Sequence, residues 1–210
     1  MNSNILRDDI EYIIHCDEKG NIIGPISKNH AHIPEVRKTL VHYSTWSMVY
    51  NTKLNKYGLQ LKSPKKDDKN TAGKWDMGVA GHNCYELKNG AYLPNSFEDN
   101  LVKETYEEIG IKLDICDSLD DFKGRFNLSG SHGYIFESFL YKTDLDKEYV
   151  GLALICTDEK ELKFNDGEVV EFRWFDEKEL EEFIIKEYEK CCVVLPLVFD
   201  KTKEFMRNLF

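Results

Sequence analysis

Residues 96–109 are the most sharply bounded stretch of the sequence, and they limit the fold more than any other segment. Ser96 followed three residues later by Asp99 resembles a capping box, Glu98 and Asp99 put anions in a first turn where the helix dipole favours them, and Gly110 supplies the stop. Phe97, Leu101, Thr105 and Ile109 recur at every fourth position, with Val102 widening the stripe, so one face is made for burial. An amphipathic helix needs an apolar surface to cover, and the flanking sequence supplies strands. Residues 12–16 and 22–24 read as two strands about the turn Asp17 to Asn21, and residues 42–50 and 58–61 as two more. Residues 111–115, 122–128, 134–141, 149–156 and 169–175 are rich in β-branched and aromatic side chains and also predict strands. A helix opens at the Asp176 cap, and another covers residues 196–208. The pattern predicts an α/β chain of the α+β type, a mixed β-sheet with helices packed against it.

Composition narrows the function classes. With 41% hydrophobic and 12% aromatic residues in 210, the chain has the material for a core, which excludes wholesale disorder. Its formal net charge of -10 repels a phosphate backbone, so no nucleic-acid polymer is expected as a partner. The charge is uneven: residues 1–95 carry 13 basic and 10 acidic side chains, and residues 96–210 carry 15 and 28. Six cysteines without C-x-x-C spacing read as reduced thiols of a cytoplasmic protein. The first residues lack a positive n-region and an apolar h-region, and the apolar run 193–199 is short and broken by Pro196, so neither a secretory signal nor a membrane partner is expected.

Within the helix, Glu104, Glu107 and Glu108 fall at i, i+3 and i+4, on one face. Three like charges at that spacing oppose helix formation, and Lys103 cannot neutralise all of them. A divalent cation would, and hard carboxylate oxygens without a thiolate nearby select Mg²⁺ or Mn²⁺ over zinc. A solvated acidic face is the competing reading of these residues by themselves.

The segment resembles the core of the Nudix box, G-x5-E-x7-R-E-U-x-E-E-x-G-U with U aliphatic, at Glu104, Glu107, Glu108, Gly110 and Ile111. Lys103 stands at the box arginine, Thr105 at an aliphatic position, Asn95 at the first glutamate and Asn89 at the first glycine. Trp75-Asp76-Met77-Gly78-Val79-Ala80-Gly81-His82 is similar to the W-D-x-S-x-x-G-H stretch of Nudix proteins resembling isopentenyl-diphosphate isomerase. Upstream, Lys62-Ser63, Lys69 and Ala72-Gly73-Lys74-Trp75 follow the R-S, K and P-G-x-W pattern of that subgroup. The resemblance covers about residues 10–185.

It implies a Nudix fold, its mixed sheet sandwiched between helices, in one domain: an N-terminal β extension over 1–40, a core over 41–185 and a C-terminal helical extension over 186–210. It implies a hydrolase that cleaves a diphosphate linkage in a nucleoside-diphosphate-linked or other organic diphosphate. Glu104, Glu107 and Glu108 would hold Mg²⁺ or Mn²⁺, Glu104 or Glu108 would serve as base, and Glu168 would add a further acid. Lys62, Lys69 and Lys103 would meet phosphate; a solvated charge run is the alternative for the first two. His32, His42, His82 and Glu148 match positions from which the isomerase builds an extra metal site, beside the alternative of structural histidines. The isomerase carries a cysteine where this chain has Ala80, which cannot move a proton, so isomerisation is the weakest reading. A non-catalytic Nudix-fold module binding a ligand or a protein remains the main alternative, and a homodimer is the default oligomer.

Overall fold

A computed structural model describes residues 6–66 and 71–209. Its elements run β1 (Tyr12–Cys16), β2 (Ile22–Ser27), α1 (Lys28–Ala31), α2 (Pro34–Arg37), β3 (Val41–Asn51), β4 (Lys56–Lys62), β5 (Trp75–Asp76), β6 (Val79–His82), β7 (Tyr85–Lys88), β8 (Ala91–Pro94), α3 (Phe97–Ile109), β9 (Asp114–Ile115), α4 (Leu119–Arg125), β10 (His132–Lys142), β11 (Lys147–Thr157), β12 (Val169–Phe175), α5 (Glu177–Lys186) and α6 (Leu195–Leu209). The fold is α+β with a mixed sheet, as the sequence pattern predicts. The chain divides into two compact units: Met1–Thr45, Gly81–Asn100 and Ser138–Gly151 form the first, and Trp46–Ala80, Leu101–Glu137 and Leu152–Phe210 the second.

In the second unit the two-residue period of the strands decides what each sheet face covers. β4 lies antiparallel to β12, to β3 and to β5, with Lys62 opposite Val169 and Gln60 opposite Asp76, whereas β9 runs parallel to β10. Val49, Ile135, Ala153, Ile155, Phe172 and Trp174 gather on the face that receives Leu101 and Ile109 of α3. Their sequence neighbours point the other way: Tyr50 meets Phe126, which follows α4, and Tyr134 and Phe136 stack against Phe205 of α6. Phe183 of α5 packs edge-on against Trp75. Side chains such as Leu101 and Ile109, both fully buried, each contribute about 1.5–3 kcal/mol of apolar burial.

The first unit contains two hairpins. β1 pairs with β2, and Ile13 packs with Ala31, Leu40 and Cys84. β7 and β8 meet across Asn89 and Gly90, whose φ values of 54° and 80° are those of a type I′ turn. Asn89 departs from the box glycine because it starts a tight turn. Asn95 departs from the box glutamate because its side chain accepts the Cys84 amide at 2.9 Å and donates to Asn100.

Two expectations give way. Residues 122–128 are not a strand: Ser118 accepts the Asp121 amide and opens α4, where Phe122 and Phe126 share a helical face and meet edge-on. Of residues 111–115 only the last two pair as a strand. The Asp176 cap forms as predicted, with reciprocal bonds between Asp176 and Glu179. All six cysteines are free and buried, and among the described residues no helix is long and apolar enough to cross a membrane.

Candidate functional site

The acidic face of α3 is assembled by the end of the helix. The last carbonyls of a helix have no partner within it, and here residues 163–165 supply donors. Lys163 donates its amide to the Ile109 carbonyl at 3.2 Å, and Asn165 donates its amide to Glu107 at 3.0 Å and its side chain to Tyr106 at 2.7 Å. Gly110, at φ 73°, makes the turn; a Cβ there would lie 2.6 Å from the Lys163 carbonyl oxygen. With the loop fastened, the Glu168 amide closes a turn onto Asp166. Ligand oxygens of Glu108, Asp166 and Glu168 then lie within 4.8 Å of one another.

Glu108 is 1% exposed, and both of its oxygens are engaged. One takes the ammonium of Lys62; the other accepts from Gln60 Nε2 at 3.0 Å and from the Ala80 amide at 3.1 Å. Gln60 and Lys62 reach the same carboxylate because alternate residues of β4 share a face. Glu104 and Glu107 lie outside that three-acid group and share Lys103, at 3.3 and 3.5 Å. Burial, with Glu108 and Glu107 adding to it against the pull of Lys103, raises the Glu104 carboxyl to about 7. Burial also raises Asp166. Lys66 holds Glu168 at 2.5 Å.

The structure thus brings the expected Glu108 and Glu168 together. It adds Asp166, which sequence reasoning passed over within Asp166-Gly167-Glu168, and Gln60 and Asp76, whose signal was their place in adjoining strands. Lys62 and Lys103, expected at phosphate, are both paired with carboxylates. Lys69 lies outside the described residues.

The first unit contains the expected histidines. His42 stacks obliquely on His82 at 4.9 Å between centroids, and His82 on His32 at 5.2 Å. Ligand atoms of His42, Asp146 and Glu148 lie within 4.8 Å of one another, with Asp146 a member the sequence did not suggest. Arg37 donates to Asp146 at 2.8 and 2.5 Å, and Ser44 to Glu148. Neither ring nitrogen of His42 has a hydrogen-bond partner among the described residues. Burial lowers His42 to about 4 and holds His82 well below the ordinary imidazole value, and burial together with Asp146 raises Glu148 to about 8.

Both donor sets fit metals of different kinds: the second unit offers hard carboxylate oxygens, the first neutral imidazoles beside carboxylates. Residues 90–191 match the NUDIX domain. No curated protein matches the sequence. The fold is similar to that of DR0079 from Deinococcus radiodurans, with a TM-score of 0.62 at 15% identity over 91% of this chain and 98% of that one. It is also similar to the MutT protein from Methanosarcina mazei Go1, with a TM-score of 0.52 at 16% identity over 78% and 94% of the two chains. The family match over residues 90–191 and the shared fold agree with each other.

Proposed function

We propose, for a chain that carries a Nudix domain, that it hydrolyses a diphosphate linkage in a nucleoside-diphosphate-linked or other organic diphosphate, with Mg²⁺ or Mn²⁺ held by the acids of α3 and of the loop before β12. The observation that carries this reading is the joining of Glu108, Asp166 and Glu168 through the loop that caps α3. Glu104, Glu107 and Glu108 supply the helix side of the metal site, and Asp166 and Glu168 the loop side. A divalent cation bound there contributes charge neutralisation at the phosphate oxygens and acidifies bound water.

The residues of the chain do the rest. Glu104, raised to about 7, is the group suited to accept a proton from water near neutral pH, whereas both oxygens of Glu108 are already engaged. Lys62, Lys69 and Lys103 are the lysines that the family resemblance sets toward phosphate, and Lys66 adds a cation beside Glu168. A second metal, of the softer kind, belongs at His32, His42, His82 and Glu148 together with Asp146; the two unpartnered nitrogens of His42 favour it. Ala80 gives its backbone amide to Glu108 and has no titratable side chain, so the chain has no isomerase acid there.

The test is hydrolysis of a panel of nucleotide sugars, dinucleotides and isoprenoid diphosphates with Mg²⁺ or Mn²⁺, by the wild type and Glu104→Gln. Metal-dependent phosphate release that falls about 100-fold or more in the variant is expected. Tight binding of one panel member without turnover would replace the hydrolase with a binding module.

A further inference from the structure

Lys62 is among the largest side chains of the protein that are fully buried, at 1% exposure. A lysine this far from water keeps its charge only if anions compensate it. Its ammonium donates to Glu108, and Asp76 and Glu168 act on it electrostatically. Asp76 is itself buried, on the strand paired with β4. Burial lowers the ammonium's pKa and these carboxylates more than offset it, leaving the group above the ordinary lysine range. The other lysine at the cluster, Lys66, reaches Glu168 from a partly exposed position. Lys62 is therefore the cation enclosed with the acids, and it takes one oxygen of the carboxylate that Asp166 and Glu168 also approach.

We propose that the Lys62 ammonium is a tethered counter-cation which neutralises Glu108 in the metal-free protein and competes with a divalent ion for that carboxylate. The inference rests on the reading of the acidic cluster as a metal site. A unit positive charge fixed a few ångströms from a dication repels it, so the lysine weakens metal binding while keeping the empty acidic cluster foldable. It also sets Glu108 apart within the cluster, because the buried carboxylate is gained by metal only when the enclosed ammonium moves.

The experiment titrates Mn²⁺ into the wild type and Lys62→Met, following free Mn²⁺ by electron paramagnetic resonance and melting temperature with and without EDTA. The expected result is Mn²⁺ binding about tenfold or more tighter in Lys62→Met, or one additional ion, with a larger rise in melting temperature on adding metal. A folded Lys62→Met that binds Mn²⁺ no more tightly than the wild type overturns the proposal. If the variant does not fold, ¹⁵N spectra of lysine-labelled wild type decide: the protected Nζ signal of the buried ammonium shifts or vanishes as Mg²⁺ saturates the protein. A signal unchanged at saturation overturns the proposal. Competition without turnover on any diphosphate would sink the hydrolase reading alone, and turnover with equal Mn²⁺ affinities would sink the competition alone. No Mn²⁺ binding by either protein would sink both.

Discussion

Glu108 and His42 are each 1% exposed, yet Glu108 has partners on both oxygens, while His42 has no hydrogen-bond partner on either nitrogen among the described residues. The second unit keeps a buried charge and surrounds it with donors. The first disfavours charge on two of its members: burial lowers His42 to about 4, and burial with Asp146 raises Glu148 to about 8. The difference separates two kinds of preparation for a cation. An internally compensated cluster folds without one and must yield a partner to accept it; a cluster with orphaned nitrogens gains hydrogen-bonding or ligating capacity when something arrives.

The sharpest break between the two clusters is in turnover. Glu104→Gln should lower metal-dependent hydrolysis by about 100-fold or more, whereas His42→Phe should change it by less than about tenfold, measured side by side as kcat/KM on one diphosphate. Next comes stability. Glu108→Ala leaves Lys62 buried without its main partner and should cost about 3–5 kcal/mol in urea unfolding with EDTA present. His42→Phe removes two unsatisfied nitrogens, so the metal-free protein should lose less than about 1 kcal/mol or gain stability. A large loss in His42→Phe would mean the imidazole has a structural partner. The same variant should abolish any rise in melting temperature caused by Zn²⁺ and leave the rise caused by Mg²⁺ in place. A modest effect is expected from Asn165→Ala, which removes the side-chain bond to Tyr106: a loss of about 0.5–1.5 kcal/mol and a weaker apparent Mg²⁺ affinity, with Zn²⁺ binding unchanged.

Helix α3 was legible in the sequence because each of its signals is local. Ser96 accepts the Asp99 amide at 3.0 Å and Gly110 adopts positive φ, as the spacing suggests. The β12 strand and the Asp176 cap could be read for the same reason. Strand β10 and α4 separate the cases: Tyr134 and Phe136 alternate as a strand must, but the 122–128 stretch has aromatics at both two- and four-residue spacings, and the cap at Ser118 decides between them. The site divides likewise. Three glutamates on one helix face are visible in a string of letters, but the pairing of Lys62 with Glu108 depends on a strand 46 residues away in sequence. Asp146 was hidden because its neighbour Arg37 lies 109 residues off, at a distance no periodicity reports. Thr105 looked like a fault in an aliphatic position until its hydroxyl, bonded to the Leu101 carbonyl at 2.5 Å, is seen to satisfy itself within the helix.

The amides of Lys163 and Asn165 serve the backbone of α3 and, through the turn that follows, fix where Asp166 and Glu168 stand. A fluctuation that frees those two amides therefore uncaps the helix and scatters the carboxylates in one event. Hydrogen exchange at these positions would then count the openings of the acidic cluster itself, and a bound cation would slow it from a distance by holding the loop closed.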